Sequence, residues 1–427
     1  MNDSSHSILI LSGARGDTRR YRTFHLFEQT RLLGLQSQLS HVTDGKLSEK
    51  VKASDIVIIH RAAYNRQIAW LEKEIHQKNG KLIQDFDDQI FDPTAFKFIN
   101  SVDFADPIRA SLYQEEMGLN RKTLDVCDIC LTSTDYLADC IRQLGKPVHV
   151  HRNAFSLEML EGSEAAYASR KFRPDKIVIG YASGTSTHNQ DFALIKPAVQ
   201  EVLSGHPNVE LWLVGPLDPG EDWGRLDNQI RRIKLVPWRK LPEIQAQFDI
   251  NLAPLRIDNP FGQSKSEIKY VEAALVRIPT IASPSEAFKF AIRQADNGFL
   301  AGNLLEWQKT MESLIEQPTL HTTVGERAYQ DAKLHYHPSV RARELVETLN
   351  SMIDQKFDLP NNDLINGVSQ TELLESFWSK PNLERSPTLI QRGLYTLRYR
   401  NLRTLLQQVW IYFRRMVAPI FPYRNPL

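Results

Sequence analysis

The chain is poor in cysteine, in net charge and in long apolar runs, and each shortage removes a class of protein. Cysteine occurs three times in 427 residues, too few and too odd in number for a disulfide framework. Cys127 and Cys130 form a lone C-x-x-C at the start of the apolar run 128–133; buried thiols are the first reading, a redox or metal pair the second. Lysine plus arginine totals 52 against 51 acidic residues, so no global charge points to nucleic acid. No segment supplies the roughly 18 uninterrupted apolar residues of a membrane-spanning helix. The apolar run beginning at Ser7 has no basic flank, so no secretory signal is read. A cytoplasmic, soluble-type protein of two or three domains is expected. The G-x-G-x-x-G fingerprint is also missing, because the first loop offers only Gly13 and Gly16. That discounts a nicotinamide enzyme.

What the chain does have is alternation. Apolar runs at 7–11, 37–42, 55–60, 81–86, 128–133 and 148–151 read as strands, and helical spacing fills 22–33, 66–78, 106–124 and 136–144. Such β-α alternation predicts a parallel, doubly wound sheet with its site at the strands' carboxyl ends. A polar segment, 154–174, reads as a linker. The pattern then restarts with strands at 176–182, 209–214 and 233–236, and helices at 192–203 and 241–248.

The stretch from Asp249 to Ser283 carries the most chemistry. It reads as strand, polar loop, helix from Ser266 to Val276, then strand. Ser264, Lys265 and Ser266 stand at the helix start, where free N–H groups and the helix dipole favour an anion. A lysine is out of place there unless it faces phosphate. Glu272, two turns on, suits a vicinal diol such as a ribose. Phosphate at the helix start and hydroxyls further along fit a nucleotide lying on the helix.

The string Lys265-Ser266-Glu267-Ile268-Lys269-Tyr270-Val271-Glu272-Ala273 resembles the donor segment of GT-B glycosyltransferases of the family 4 type, in the form K-S-x-x-K-x-x-E-A. The family's usual first glutamate falls at Ser264, so only the second, Glu272, is kept. The loop Ser183-Gly184-Thr185-Ser186-Thr187-His188-Asn189-Gln190-Asp191-Phe192 and the triplet Arg20-Tyr21-Arg22 resemble other strings of the same group. The Arg and Lys that many relatives carry after the strand 176–182 are absent.

The resemblance, over roughly residues 7–353, implies an α/β GT-B fold of two Rossmann-like doubly wound domains facing a cleft, to which the remaining residues add a basic helical C-terminal extension. Expected limits are 1–173 for the acceptor-side domain, 174–338 for the donor-side domain, 339–357 for a closing helix and 358–427 for linker and extension. It implies retaining transfer of a sugar from a UDP- or GDP-sugar co-substrate to a glycan or lipid-linked hydroxyl acceptor, with no metal or other cofactor. Gly13, Gly184, Thr185, Arg256, Ser264, Lys265, Ser266, Lys269 and Glu272 form the expected donor set, with Glu272, Lys265 and His60 nearest the chemistry; for His60 a structural role is equally open.

Arg20, Arg22, Asp85, Asp87 and Asp88 are the expected acceptor or cleft residues. Forked arginine contacts to phosphate or carboxylate and a solvated charged surface are both open for Arg20 and Arg22. Cleft lining and architecture are both open for the aspartates. From Lys380 onward, basic residues interleave with Leu394, Leu397, Leu402, Val409 and Trp410, against Glu384 alone. That reads as a membrane-surface or partner-binding helix in 380–427, placing the protein at the inner face of the plasma membrane. A cap packed on the protein's own surface is the other reading. A non-catalytic GT-B scaffold and a GT-B nucleotide-sugar epimerase are the competing functions.

Overall fold

The computed structural model describes residues 6–14, 17–99, 105–171, 173, 175–220, 222–353, 357 and 387–417. Two six-stranded sheets, parallel throughout, form the scaffold. The first is β1 (Ile8–Ser12), β2 (Ser37–His41), β3 (Ile56–His60), β4 (Lys81–Phe86), β5 (Ile129–Thr132) and β6 (Val148–Val150), in the order β2-β1-β3-β4-β5-β6. Its central strands β1 and β3 are runs of Ile, Leu and Val buried along their whole length, as helices on both faces require.

The second sheet is β7 (Ile177–Ala182), β8 (Val209–Val214), β9 (Ile230–Ile233), β10 (Ile250–Ala253), β11 (Thr280–Ala282) and β12 (Phe299–Leu300), ordered β12-β11-β10-β7-β8-β9. The direction of winding reverses between β1 and β3 in one sheet and between β7 and β10 in the other. These switch points open crevices at the carboxyl ends of the strands. The two-domain α/β arrangement matches the expected GT-B fold.

The helix Pro338–Asn350 buries Ala342, Leu345, Val346 and Leu349 in one core with Ile8, Ile10, Ile58 and Ile83. Each such leucine adds about 1.5–3 kcal/mol when fully buried. The chain therefore ends its second half packed on the first sheet.

Two local expectations are corrected. The segment read as a polar linker contains the helix Leu157–Ala168, capped by Ser156, whose hydroxyl accepts from the Met159 amide at 3.1 Å. Its buried positions include Ser163 and Ala166, so no apolar stripe announces it. The strand expected at 233–236 is β9, three residues earlier. It is a sheet edge with Arg231 and Arg232 exposed, and Leu235 beyond it is 60% exposed.

Two tail helices follow, Leu389–Tyr399, opened by a Thr388–Gln391 capping box, and Leu402–Val417. The linker expected at the start of 358–427 and the basic residues Lys380, Arg385 and Arg424 lie outside the described residues. Among the described residues no helix is long and apolar enough to cross a membrane.

Candidate active site

On the second domain, the chain leaves β10 into a short helix, Pro260–Gln263, capped by Asn259, whose side chain accepts from the Gly262 amide at 2.8 Å. A Cβ at Gly262 would stand 1.6 Å from the Arg256 carbonyl oxygen, so only glycine permits this turn. The next helix is Ile268–Leu275, beginning two residues later than expected. Ser264, Lys265 and Ser266 therefore occupy the turn before it, and Glu267 is its N-cap residue. Glu267 is fully buried and accepts from the Tyr336 hydroxyl at 2.9 Å. Burial pushes its pKa up, against the pull of Arg152.

Lys269 reaches back from that helix to the end of β7, donating to the Ala182 carbonyl at 2.5 Å and lying 5.3 Å from the Tyr181 ring centre. Burial lowers its pKa. The loop after β7 is tied by its own hydroxyls: Ser183 Oγ donates to the Thr185 carbonyl at 2.8 Å, and Thr185 and Thr187 hydroxyls are 2.6 Å apart. Gly184 and Thr185 are exposed. His188 Nδ1 pairs with Asp191 at 2.7 Å, and Asp191 also accepts from the Arg256 amide at 2.8 Å. The Arg256 guanidinium is held by Gln190 at 2.6 Å and Asp258 at 2.9 Å. Thr187, His188, Asp191, Arg256, Phe261 and Lys265 line one cleft here. The loops meeting at the second sheet's switch point thus carry two lysines and a run of small hydroxyls.

The first domain's edge is built differently. Gly13 follows β1, its amide donating to the His60 carbonyl at 2.8 Å. A Cβ there would fall 2.4 Å from the Arg61 carbonyl oxygen. Asp85, at the end of β4, is fully buried. It accepts from Arg22 Nε at 3.0 Å as well as from Arg22 Nη2, and lies 3.1 Å from His60 Nδ1. Burial pushes the Asp85 pKa up, but Arg22 and His60 outweigh it and hold the carboxyl below its ordinary value. Arg22 also donates to the His151 carbonyl at 2.7 Å and to Asn153 at 3.1 Å.

His60 is itself fully buried, with Nε2 3.2 Å from Thr18 Oγ1, which places it under the floor of the cleft. Asp87 accepts from Thr18 and, at 2.6 Å, from Arg61. Burial raises its pKa, but Arg61 and His60 prevail and depress it.

The two edges touch through Asp88. Its carboxylate accepts from Ser264 Oγ at 3.0 Å and Lys265 Nζ at 2.9 Å, and lies 3.4 Å from Arg61. Lys265 also sits 4.0 Å from the Phe261 ring centre. Asn153 donates to Ser266 Oγ at 2.9 Å. Further along the helix, the Tyr21 hydroxyl donates to Glu272, with Arg20 4.0 Å from the same oxygen. Arg20 is stacked between the rings of Tyr21 (4.2 Å) and Trp238 (4.6 Å). Burial pushes the Tyr21 pKa well up, so the phenol stays a donor. Tyr21 lies in a π-helical turn, Arg20–Phe24, a distortion frequent at functional sites.

The expected residues therefore fall into three groups. Asp88, Ser264 and Lys265 meet across the cleft, and Glu272 meets Arg20. Lys269, Gly184, Thr185 and Arg256 border the second sheet's crevice. Arg22, Asp85 and His60 are buried beneath the first. Tyr21, His188, Asp191, Asn153 and Phe261 stand beside them; none of the five takes a site role from the sequence, although Tyr21, His188 and Asp191 lie in the strings that carry the resemblance. The H-x-x-D spacing at a helix start was the available signal for His188 and Asp191. Among the described residues no group of His, Cys, Asp or Glu is arranged to hold a metal ion.

Residues 176–317 match the family model described as glycosyl transferases group 1. Among solved structures, Anabaena HepE in complex with UDP and glucose is similar at 15% identity and a TM-score of 0.55, over 81% of this chain and 100% of that one. A glycosyltransferase from Rickettsia africae is similar at 12% identity and 0.57, over 83% and 100%. Sucrose-phosphate synthase from Thermosynechococcus elongatus is similar at 12% and 0.53, over 81% and 99%. No curated protein matches the sequence. The chain has the GT-B fold, and part of it, residues 176–317, matches the glycosyl transferases group 1 model.

Proposed function

We propose that the protein transfers a sugar, with retention, from a UDP- or GDP-sugar to a hydroxyl of a glycan or lipid-linked acceptor in polysaccharide synthesis at the inner face of the plasma membrane. One observation carries this reading. Lys265 and Lys269, together with the hydroxyl loop 183–187, converge on the crevice where the second sheet's winding reverses. That is where an anionic ligand finds fixed N–H dipoles and ammonium charge. In this reading Lys265, Ser266 and Gly184 hold the diphosphate, with Lys269 and Thr185 beside them and Glu272 on the ribose. The ammonium groups stabilise negative charge on the departing diphosphate. Asp88 neutralises Lys265 until the donor takes its place. We assign residues 1–173 to the acceptor side and 174–338 to the donor side.

The test is a panel of nucleotide sugars, read by thermal shift and by release of nucleotide. A donor at 100 times its dissociation constant adds about 2.7 kcal/mol of stability, and the reading expects one donor to do so and to be turned over. Binding without turnover replaces it with a nucleotide-binding scaffold, and an isomerised donor sugar replaces it with an epimerase. No shift with any donor refutes it.

A further inference from the structure

The two tail helices pack on the first domain by one face and leave the other uncovered. Tyr395 accepts from Asn65 Nδ2 at 2.7 Å and packs against the core that holds Leu9 and Leu71. Arg414 Nη1 lies 3.3 Å from Asp106 at the start of the helix Pro107–Val126. The opposite face of Leu402–Val417 shows Leu402, Leu406, Val409, Trp410 and Phe413, each between 43% and 59% exposed. Their spacing, i, i+4, i+7, i+8 and i+11, is a single helical stripe. The preceding helix adds exposed Ile390, Leu394 and Leu397. Residues 387–417 contain Arg392, Arg398, Arg400, Arg403, Arg414 and Arg415 and no aspartate or glutamate. A soluble chain does not ordinarily leave so continuous an apolar stripe in water.

The same helix also closes a cavity. A space of about 530 Å³ lies between it and the helix Pro107–Val126. Its walls include Gln408 and Ile411 on one side, Arg109 and Tyr113 on the other, and Gly13, Thr18 and Arg61 at the first sheet's switch point. The cavity thus joins the first sheet's switch point to the helix that carries the apolar stripe.

We propose that the helix pair 389–417 docks on an anionic lipid bilayer, setting the mouth of this cavity against the headgroup layer, so that the acceptor is an amphiphile whose polar head enters the cavity while its tail stays in the lipid. The apolar stripe enters the interface, Trp410 and Tyr412 sit at headgroup depth, and Arg398, Arg400 and Arg403 meet lipid phosphates. The choice of a bilayer over a second protein rests on the positive charge of Arg398, Arg400 and Arg403 beside the stripe, in a segment without aspartate or glutamate. This inference rests on the transferase reading for the acceptor, but not for the docking.

The experiment is flotation of the full chain with vesicles of phosphatidylcholine, with and without phosphatidylglycerol. It is paired with hydrogen exchange on the vesicle-bound protein and a UDP thermal shift. The wild type is expected to float with the anionic vesicles and to be released by salt. Leu406→Glu/Val409→Glu is expected to bind about tenfold or more weakly, and Arg398→Gln/Arg403→Gln likewise, both with the UDP shift intact. Exchange should slow in 389–417 and 107–116 and remain unchanged in 176–214. Three results overturn the docking: no flotation, unchanged flotation of both variants, or a dimer that Leu406→Glu/Val409→Glu converts to monomer. Slowed exchange confined to 389–417 overturns the placement of the cavity. Loss of the UDP shift with flotation retained counts against the transferase reading alone.

Discussion

The two sheets share one winding plan, yet their facing edges are chemically unlike. The first domain presents acids and the second presents lysines and hydroxyls. Within the first, Asp85 and Asp88 belong to a single acidic run but end in different surroundings. Asp85 sits inside the sheet edge with Arg22 and His60 around it and no exposure. Asp88, three residues on, looks across the cleft to Ser264 and Lys265. One carboxylate fixes the scaffold; the other meets the opposite domain at the point where a donor phosphate would bind.

The largest effect that tests this contrast is on stability. Asp85→Asn leaves the Arg22 guanidinium buried without its counter-charge and should cost about 3–5 kcal/mol. Asp88→Asn should cost about 1 kcal/mol, because its partners border an open cleft. Denaturant unfolding of both variants measures the difference, and equal losses would erase the distinction. Next, Lys265→Ala removes the ammonium from the proposed diphosphate site and should lower kcat/KM about a hundredfold, read from nucleotide release, with little change in Tm.

How much of this was legible in the sequence depends on what each feature requires. Sheets covered on both faces write themselves as apolar runs, so β1, β3, β4 and β7 stand out. The helix Leu157–Ala168 buries a serine and an alanine beside Leu157 and Met159, and β9 reads Ile-Arg-Arg-Ile with both arginines exposed, so neither leaves a strong pattern. The Lys265–Glu272 string pointed to the proposed nucleotide-facing helix because its chemistry is local. The roles of Asp85 and Asp88 are not local. They depend on which way each side chain turns at the strand end and on what the other domain brings to meet it. Tyr21 is similar: its partner Glu272 is 251 residues away, and nothing in the triplet Arg20-Tyr21-Arg22 announces it.

A third effect concerns the joint between the domains. Glu28 accepts from the Leu157 amide at 2.8 Å at the start of the helix that enters the second domain. Burial pushes its pKa up to about 8, against that amide. A raised carboxyl pKa gives stability that is full below the ordinary value of 4.5 and is lost as pH rises through about 8. His25 and His151 have pKa values lowered by burial to about 3. Their contribution is full above the ordinary 6.5 and is lost as pH falls toward 3. At pH 6.5 each of these histidines is still half protonated in the unfolded chain and gives a slope of opposite sign, so the Glu28 slope stands clear of them only from about pH 7.5 to 8. Glu28 should contribute a loss of at most about 1.4 kcal/mol per pH unit there, read as the difference between the wild-type and Glu28→Gln slopes in urea melts taken across the window.

The smallest effect is at the other end of the nucleotide. Glu272→Gln keeps the shape and a hydrogen-bonding oxygen but loses the charge, and should weaken UDP or GDP binding about fivefold to tenfold. Unchanged affinity would move the ribose elsewhere.

The central claim is that the second sheet's crevice binds a nucleoside diphosphate through Lys265. Calorimetric titration of UDP and of GDP into the wild type and Lys265→Ala tests it most directly. The account predicts saturable binding of one nucleotide to the wild type, weakened about tenfold or more by the substitution. Equal affinity in both proteins, or no binding of either nucleotide to the wild type, would contradict it.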